Sequence, residues 1–170
     1  MPRVPFETLP DHGRLWVFPA GRALTDQESE ACLRTVDDFL ETWAAHGAAL
    51  RSGRELRERR FLLVGVDVDA EAPSGCSIDA LVNRLRALGD ELGTSLIDHA
   101  PVWFREGETV RSATRAEFRS LASAGRVHPE TRVFDASLTR IEQLRDGALE
   151  RPASETWHAR AFFSEVPGGS

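Results

Sequence analysis

Residues 61–93 read FLLVGVDVDAEAPSGCSIDALVNRLRALGDELG: an apolar run, an acidic loop and a strongly periodic stretch in succession. The run FLLVGV carries no alternation of polar and apolar residues, so it predicts a strand covered on both faces over residues 60–68. Ile78, Leu81, Val82, Leu85, Leu88 and Leu92 then recur every three or four positions and trace one helical stripe. Ser77 reads as the N-cap of a helix beginning at Ile78, with Asp79 in its first turn and Gly93 just past its end.

Upstream, residues 14–20 (RLWVFPA) form a short apolar strand that Pro19 and Gly21 terminate. Thr25 with Glu28 three residues later makes a capping box, and Leu33, Val36, Leu40 and Trp43 carry the helix onward. Gly47 fits the position after the helix, which places His46 in the last turn, where the helix dipole favours a cation. Residues 49–56 pair with 60–68 as a hairpin, and residues 94–98 supply one more strand before Pro101. Strand, helix, strand, strand, helix, strand is the order of two split βαβ units, the ferredoxin-like arrangement. The expectation is therefore an α+β protein whose first domain, residues 12–99, has the βαββαβ order.

Beyond Pro101, residues 102–105 and 109–112 flank Glu106-Gly107-Glu108 as a hairpin. A short helix over 115–124 closes at Gly125, residues 129–134 return as a strand, and a weak helix covers 138–144. The stretch WFREGETV (103–110) followed by TRAEFRSLASAGRVHPETRVF (114–134) resembles small GYF-type adaptor domains of bacterial proteins over residues 102–145. That resemblance implies a small β-rich module that makes protein or peptide contacts and does no catalysis. The aromatic dipeptide of the eukaryotic ligand groove is not recognisable. Residues 146–163 end in SETWHARAFF, and Trp157, Phe162 and Phe163 predict a segment docked on the body.

Composition narrows the chemistry. The chain has 170 residues, 41% hydrophobic and 28% charged, with a formal net charge of −6. All 21 basic residues are arginine, and tyrosine is absent. No lysine means no Schiff base, no Ser-Lys dyad and no Walker A loop. The acidic balance argues against nucleic acid and anionic membrane as partners. Five arginines face two glutamates over residues 51–60, but no aromatics interleave with them, so a solvated hairpin is the plainer reading. No run approaches the roughly 18 apolar residues of a membrane span, and the start has no apolar leader, so a cytoplasmic location is expected. Two cysteines, Cys32 and Cys76, give no disulfide framework.

Trp43-Ala-Ala-His46-Gly47, Ser74-Gly-Cys-Ser-Ile-Asp79 and Ser154-Glu-Thr-Trp157-His158-Ala-Arg160 together resemble a family of uncharacterised bacterial proteins of about this length. Members are often labelled ATPase components of ABC transporters. The residues reject that label here, because no Walker A sequence and no lysine to complete one are present. The resemblance supplies motifs without a mechanism.

Cys76 is the first candidate for chemistry, since a thiol at a helix N-terminus meets unpaired N–H groups that favour a thiolate. As an enzyme site it would use His46 or His158 as base and Asp79 as orienter. The competing readings are a packing cysteine or a metal ligand. Asp67 and Asp69, at the exit of the apolar strand, could hold a divalent metal, although solvated loop carboxylates describe them as well. Gly75 and Ser77 could present amides to an anion. Trp43, Trp157 and Arg160 are the remaining ligand-binding candidates, each with a packing role as the alternative. No cofactor is required by any motif. The leading expectation is a non-catalytic binding or adaptor protein with a protein or peptide partner; a small thiol-dependent or metal-assisted enzyme is the alternative.

Overall fold

Residues 3–164 are described by the computed structural model, and in chain order the elements are as follows. The first half holds β1 (Arg14–Pro19), α1 (Asp26–Glu41), β2 (Ala44–Ala45), β3 (Ala48–Ala49), β4 (Ser52–Arg57), β5 (Phe61–Val66) and α2 (Gly75–Leu92). The second holds β6 (Val102–Glu106), β7 (Thr109–Ala113), α3 (Arg115–Ser123), β8 (Arg132–Phe134), α4 (Ile141–Arg145) and β9 (Glu150–Pro152). The protein is α+β, built from small sheets and a few helices. Among the described residues no helix is long and apolar enough to cross a membrane. Two units emerge: residues 3–99 with 136–146, and residues 100–135 with 147–164.

In the first unit the sheet order is β1-β5-β4, antiparallel throughout, with Trp16 opposite Val64 and Arg54 opposite Val64 from the other side. β5 lies between β1 and β4, so the α1 crossover joins two parallel strands around a third. Central placement explains why all six residues of β5 are buried. Leu62, Val64 and Val66 face Val36 and Leu40 of α1 and Leu81, Leu85 and Leu88 of α2 in one core. Burying each such side chain contributes about 1.5–3 kcal/mol before entropy is charged. The opposite face is made receptive by Gly53 and Gly65, which pair across β4 and β5. A Cβ on Gly53 would lie 2.9 Å from the Phe6 Cα, and one on Gly65 would lie 3.0 Å from Phe6 Cε2. The missing side chains thus seat the N-terminal turn, Phe6–Thr8, against the sheet.

Three local expectations are corrected. Helix α1 starts as read, with the Thr25–Glu28 capping box in place, but it ends at Glu41. His46 and Gly47, at φ 54° and 77°, form the two-residue turn of the β2–β3 hairpin. A turn with both residues left-handed satisfies the same glycine that a helix C-terminus would. Helix α2 begins at Gly75 with Ser74 as N-cap: the Ser74 hydroxyl accepts from the Ser77 N–H and the Ser77 hydroxyl from the Ser74 N–H. Ser77 therefore occupies the third helical position, a serine doing the work usually given to Glu or Gln. Residues 94–98 form no strand. Ser95 Oγ accepts from the N–H groups of Ile97 and Asp98, which diverts donors that a ladder would need. The edge of β1 is instead met by a bridge from Arg140 to Arg14 and by His99 Nε2, 2.7 Å from the Val17 carbonyl oxygen.

In the second unit the antiparallel order is β7-β6-β8-β9. Val102 and Phe104 of β6, Phe118 of α3 and Val133 of β8 make its core, with Phe162 and Phe163 packed against it. Glu150 on β9 ties the sheet across, receiving both Arg105 nitrogens at 2.8 Å and Arg132 Nε at 3.2 Å. Hydrogen bonding from Arg105 holds the Glu150 carboxyl below the usual range against the opposing effect of burial. Residues 136–146 belong to the first unit, where Arg145 pairs with Asp11 at 2.6 Å; of these, 136–145 read from sequence as the end of the second module and 146 as the start of the terminal segment.

Candidate functional site

The basic run at 51–60 spends its charge locally. Arg54 forms a two-pronged pair with Asp37 at 2.7 and 2.9 Å, Arg51 reaches Asp67 at 3.2 Å, Arg59 reaches Asp26 at 2.7 Å, and Arg57 pairs with Glu55. Only Arg60 differs. It is 7% exposed, and neither Nε nor Nη1 has a hydrogen-bond partner. Burial pushes its guanidinium pKa down. Two buried N–H-bearing nitrogens without partners cost more than the apolar end of a methionine of similar length, so Arg60→Met is expected to stabilise the protein by about 1 kcal/mol. Urea midpoints for the two proteins check this, and a destabilised variant would show that the guanidinium has a stabilising role.

Cys76 lies in the first turn of α2 as an exposed free thiol, and its sulfur has no hydrogen-bond partner among the described residues. Gly75 and Asp79 are exposed beside it, while Ser77 is buried and committed to the capping box. Trp43 is buried too, and its indole N–H donates to the Ser77 carbonyl at 2.8 Å. It also packs edge-on against Trp16 at 5.8 Å, so it pins the hairpin to α2 and to the sheet. His46 is exposed at the hairpin tip.

The two acidic metal candidates already have cationic or imidazole neighbours. Asp67 takes Arg51 and caps the Asp69 N–H at 3.0 Å, and Asp69 lies 2.6 Å from His12 Nε2. No group of three or more His, Cys, Asp or Glu side chains placed to hold a metal occurs among the described residues.

The two thiols differ in environment. Cys32 is buried in α1, and burial pushes its thiol up to about 11, with Arg54 opposing. Iodoacetamide at pH 8 is expected to modify Cys76 in the folded protein and Cys32 only after unfolding, because the thiolate is the nucleophile. Peptide mass mapping with and without denaturant reads this directly; rapid native labelling of Cys32 would contradict it.

His158, Trp157 and Arg160 belong to the second unit and Cys76 to the first. His158 is 1% exposed, its Nδ1 lies 2.7 Å from Thr156 Oγ1, and its ring stacks on Trp157 at 3.8 Å. Burial lowers its pKa to about 4, partly opposed by Asp135 and reinforced by Arg115, so it is neutral at pH 7. Trp157 is half-buried, with the Arg115 guanidinium 5.0 Å over its ring. Phe162, also half-buried, carries Arg119 at 5.5 Å and stands edge-on to Phe118 at 4.9 Å. Trp157 and Phe162 have ring centroids 6.2 Å apart, so the two arginines lie over adjoining rings. Phe163 extends it toward an open depression of about 390 Å³ lined by Pro129, Ala159 and Arg160.

This cluster was only half legible. The aromatics of the terminal segment announce docking, but Arg115 and Arg119 look like ordinary helix-surface residues until their ring partners arrive from forty positions away. Their four-residue spacing on either side of the buried Phe118 was the available signal. No protein-family model, curated protein or solved structure matches the chain.

Proposed function

We propose that the protein is a non-catalytic binding or adaptor protein, and that its second unit carries the partner-contacting face. The observation behind this reading is the half-buried pair Trp157 and Phe162 with the Arg115 and Arg119 guanidinium carbons over their rings at 5.0 and 5.5 Å. Aromatic and arginine side chains are the types that dominate binding hot spots, because they offer large contact area at low entropic cost. The hairpin β6–β7, helix α3 closed by Gly125 at φ 71°, and the return strand β8 support a GYF-like reading of this unit. Likewise β1, α1, β4, β5 and α2, with the small β2–β3 hairpin inserted after α1, support a ferredoxin-like first unit without its last strand. A thiol-enzyme reading has less behind it, since Cys76 has no base in hydrogen-bond contact among the described residues.

A random dodecamer peptide array probed with the full chain tests the proposal. Saturable binding to a peptide subset, lost in the R115Q/R119Q double variant, is the expected result. Absence of any saturable peptide, or equal binding by the variant, would overturn it.

A further inference from the structure

Resting on the reading of the second unit as a binding module, we propose that this face recognises an acidic, extended peptide segment by pairing Arg115 and Arg119 with two of its carboxylates. Both arginines are exposed, as is Arg160, and none of the three has a carboxylate partner among the described residues. Elsewhere in the same unit Arg105 and Arg132 pair with Glu150 and Arg111 with Glu106, while Arg126 is exposed and, like Arg115 and Arg119, has no carboxylate partner among the described residues, but it lies over no ring. The one acidic side chain of α3, Glu117, turns back to accept from the Thr114 N–H at 2.8 Å. Arg115 and Arg119 are thus two neighbouring positive charges, joined through the Trp157–Phe162 contact, that can pair with a partner's carboxylates.

The ring contacts select the kind of partner. A guanidinium held over a ring keeps its terminal N–H groups available to a carboxylate; Arg115 Nε donates to the Ala100 carbonyl at 3.3 Å, which leaves its two terminal nitrogens for that contact. The rings beneath are already covered. Trp157 holds His158 at 3.8 Å and Arg115 at 5.0 Å, and Phe162 holds Arg119. Single-stranded nucleic acid needs open ring faces for its bases, and this face offers few. Net charge points the same way, because a chain at −6 repels a long polyanion but tolerates a short acidic segment at one basic spot.

Spacing adds a register. Residues four apart on a helix have Cβ atoms about 5–6 Å apart. Alternate residues of an extended strand rise about 6.8 Å and point to the same side. The match is two acidic residues with one residue between them.

Fluorescence anisotropy with three labelled Gly/Ser dodecamers tests this, one with a central Glu-Ser-Glu-Ser-Glu, one with Gln in place of each Glu, and one with Lys; a dT12 oligonucleotide is the fourth probe. The acidic peptide is expected to bind at least tenfold tighter than the other three, and to weaken about tenfold between 50 and 300 mM NaCl. The R119Q and R115Q/R119Q variants should lose that binding, whereas R34Q, an exposed arginine of α1, should keep it. Circular dichroism establishes that each variant is folded. Equal binding of the Gln peptide, tighter binding of dT12, no binding of the acidic peptide at 1 mM, or unchanged binding by R119Q and the double variant would each overturn the proposal. If the array yields neutral or basic peptides, the acidic preference fails while the binding reading stands; if it yields none, the binding reading itself fails.

Discussion

Acidifying the protein from pH 7 to pH 4 is expected to cost the second unit about 3 kcal/mol through one side chain, His158. Its folded pKa is lowered from the ordinary 6.5 to about 4, first by burial. Between those two values the unfolded chain holds a proton that the folded chain refuses, so stability falls as pH falls. The contribution is complete above pH 6.5 and gone at about pH 4, and further loss below that belongs to carboxylates such as Glu150. Urea midpoints at pH 7, 5.5 and 4 for the wild type and His158→Gln isolate the effect. The variant should start less stable at pH 7, because it loses the stack on Trp157, yet decline less steeply between pH 6.5 and 4. Parallel declines would show that His158 is not the titrating group.

Phe118→Ala is expected to remove about 3–5 kcal/mol from the second unit, the largest loss predicted for any single substitution considered. Phe118 is 0% exposed and sits at the meeting point of Phe104 at 5.2 Å, Phe162 at 4.9 Å and Phe163 at 6.1 Å. Truncation leaves a cavity and removes the surface on which the terminal segment rests. Hydrogen exchange should accelerate on the order of a thousandfold in β6, β8 and residues 157–163, where opening is governed by the unit's own stability. Amides of β5 serve as the internal reference. A change below about tenfold in β6 would mean that the aromatic cluster is not the core of this unit.

The parts of the fold that were legible in the sequence are those governed by local rules. The capping box at Thr25 and Glu28, the left-handed Gly93 after α2, the periodic stripe of α2 and the apolar β5 each follow from propensity or pattern within a few residues. Errors arose where two local rules compete for the same residue. Gly47 suits a helix terminus or a tight hairpin equally, and the hairpin wins because Trp43 is held by the Ser77 carbonyl and the Leu50 N–H reaches the Trp43 carbonyl at 2.9 Å. Ser77 suits an N-cap, but Ser74 outcompetes it by extending α2 three residues earlier.

Sites were less legible than elements, for a physical reason. A ligand face is defined by contacts between distant residues, and no periodicity relates Arg115 to Trp157. Sequence singled out Trp157 and Arg160 without the α3 arginines that share their unit. It also offers His158 as a base for Cys76; the structure shows His158 buried and in hydrogen-bond contact with Thr156. Sequence leaves Trp43 open between a ligand-stacking and a core role, and its buried indole lies in the core.

The most direct measurement of the central claim is a two-dimensional NMR titration of the arginine Nε–Hε signals with the array-selected peptide, run on the full chain. Binding through the second unit predicts saturable shifts at Arg115 and Arg119 with matching dissociation constants, and none at Arg54, which Asp37 already holds. Shifts confined to first-unit arginines, or peptide binding with Arg115 and Arg119 unmoved, would contradict the account.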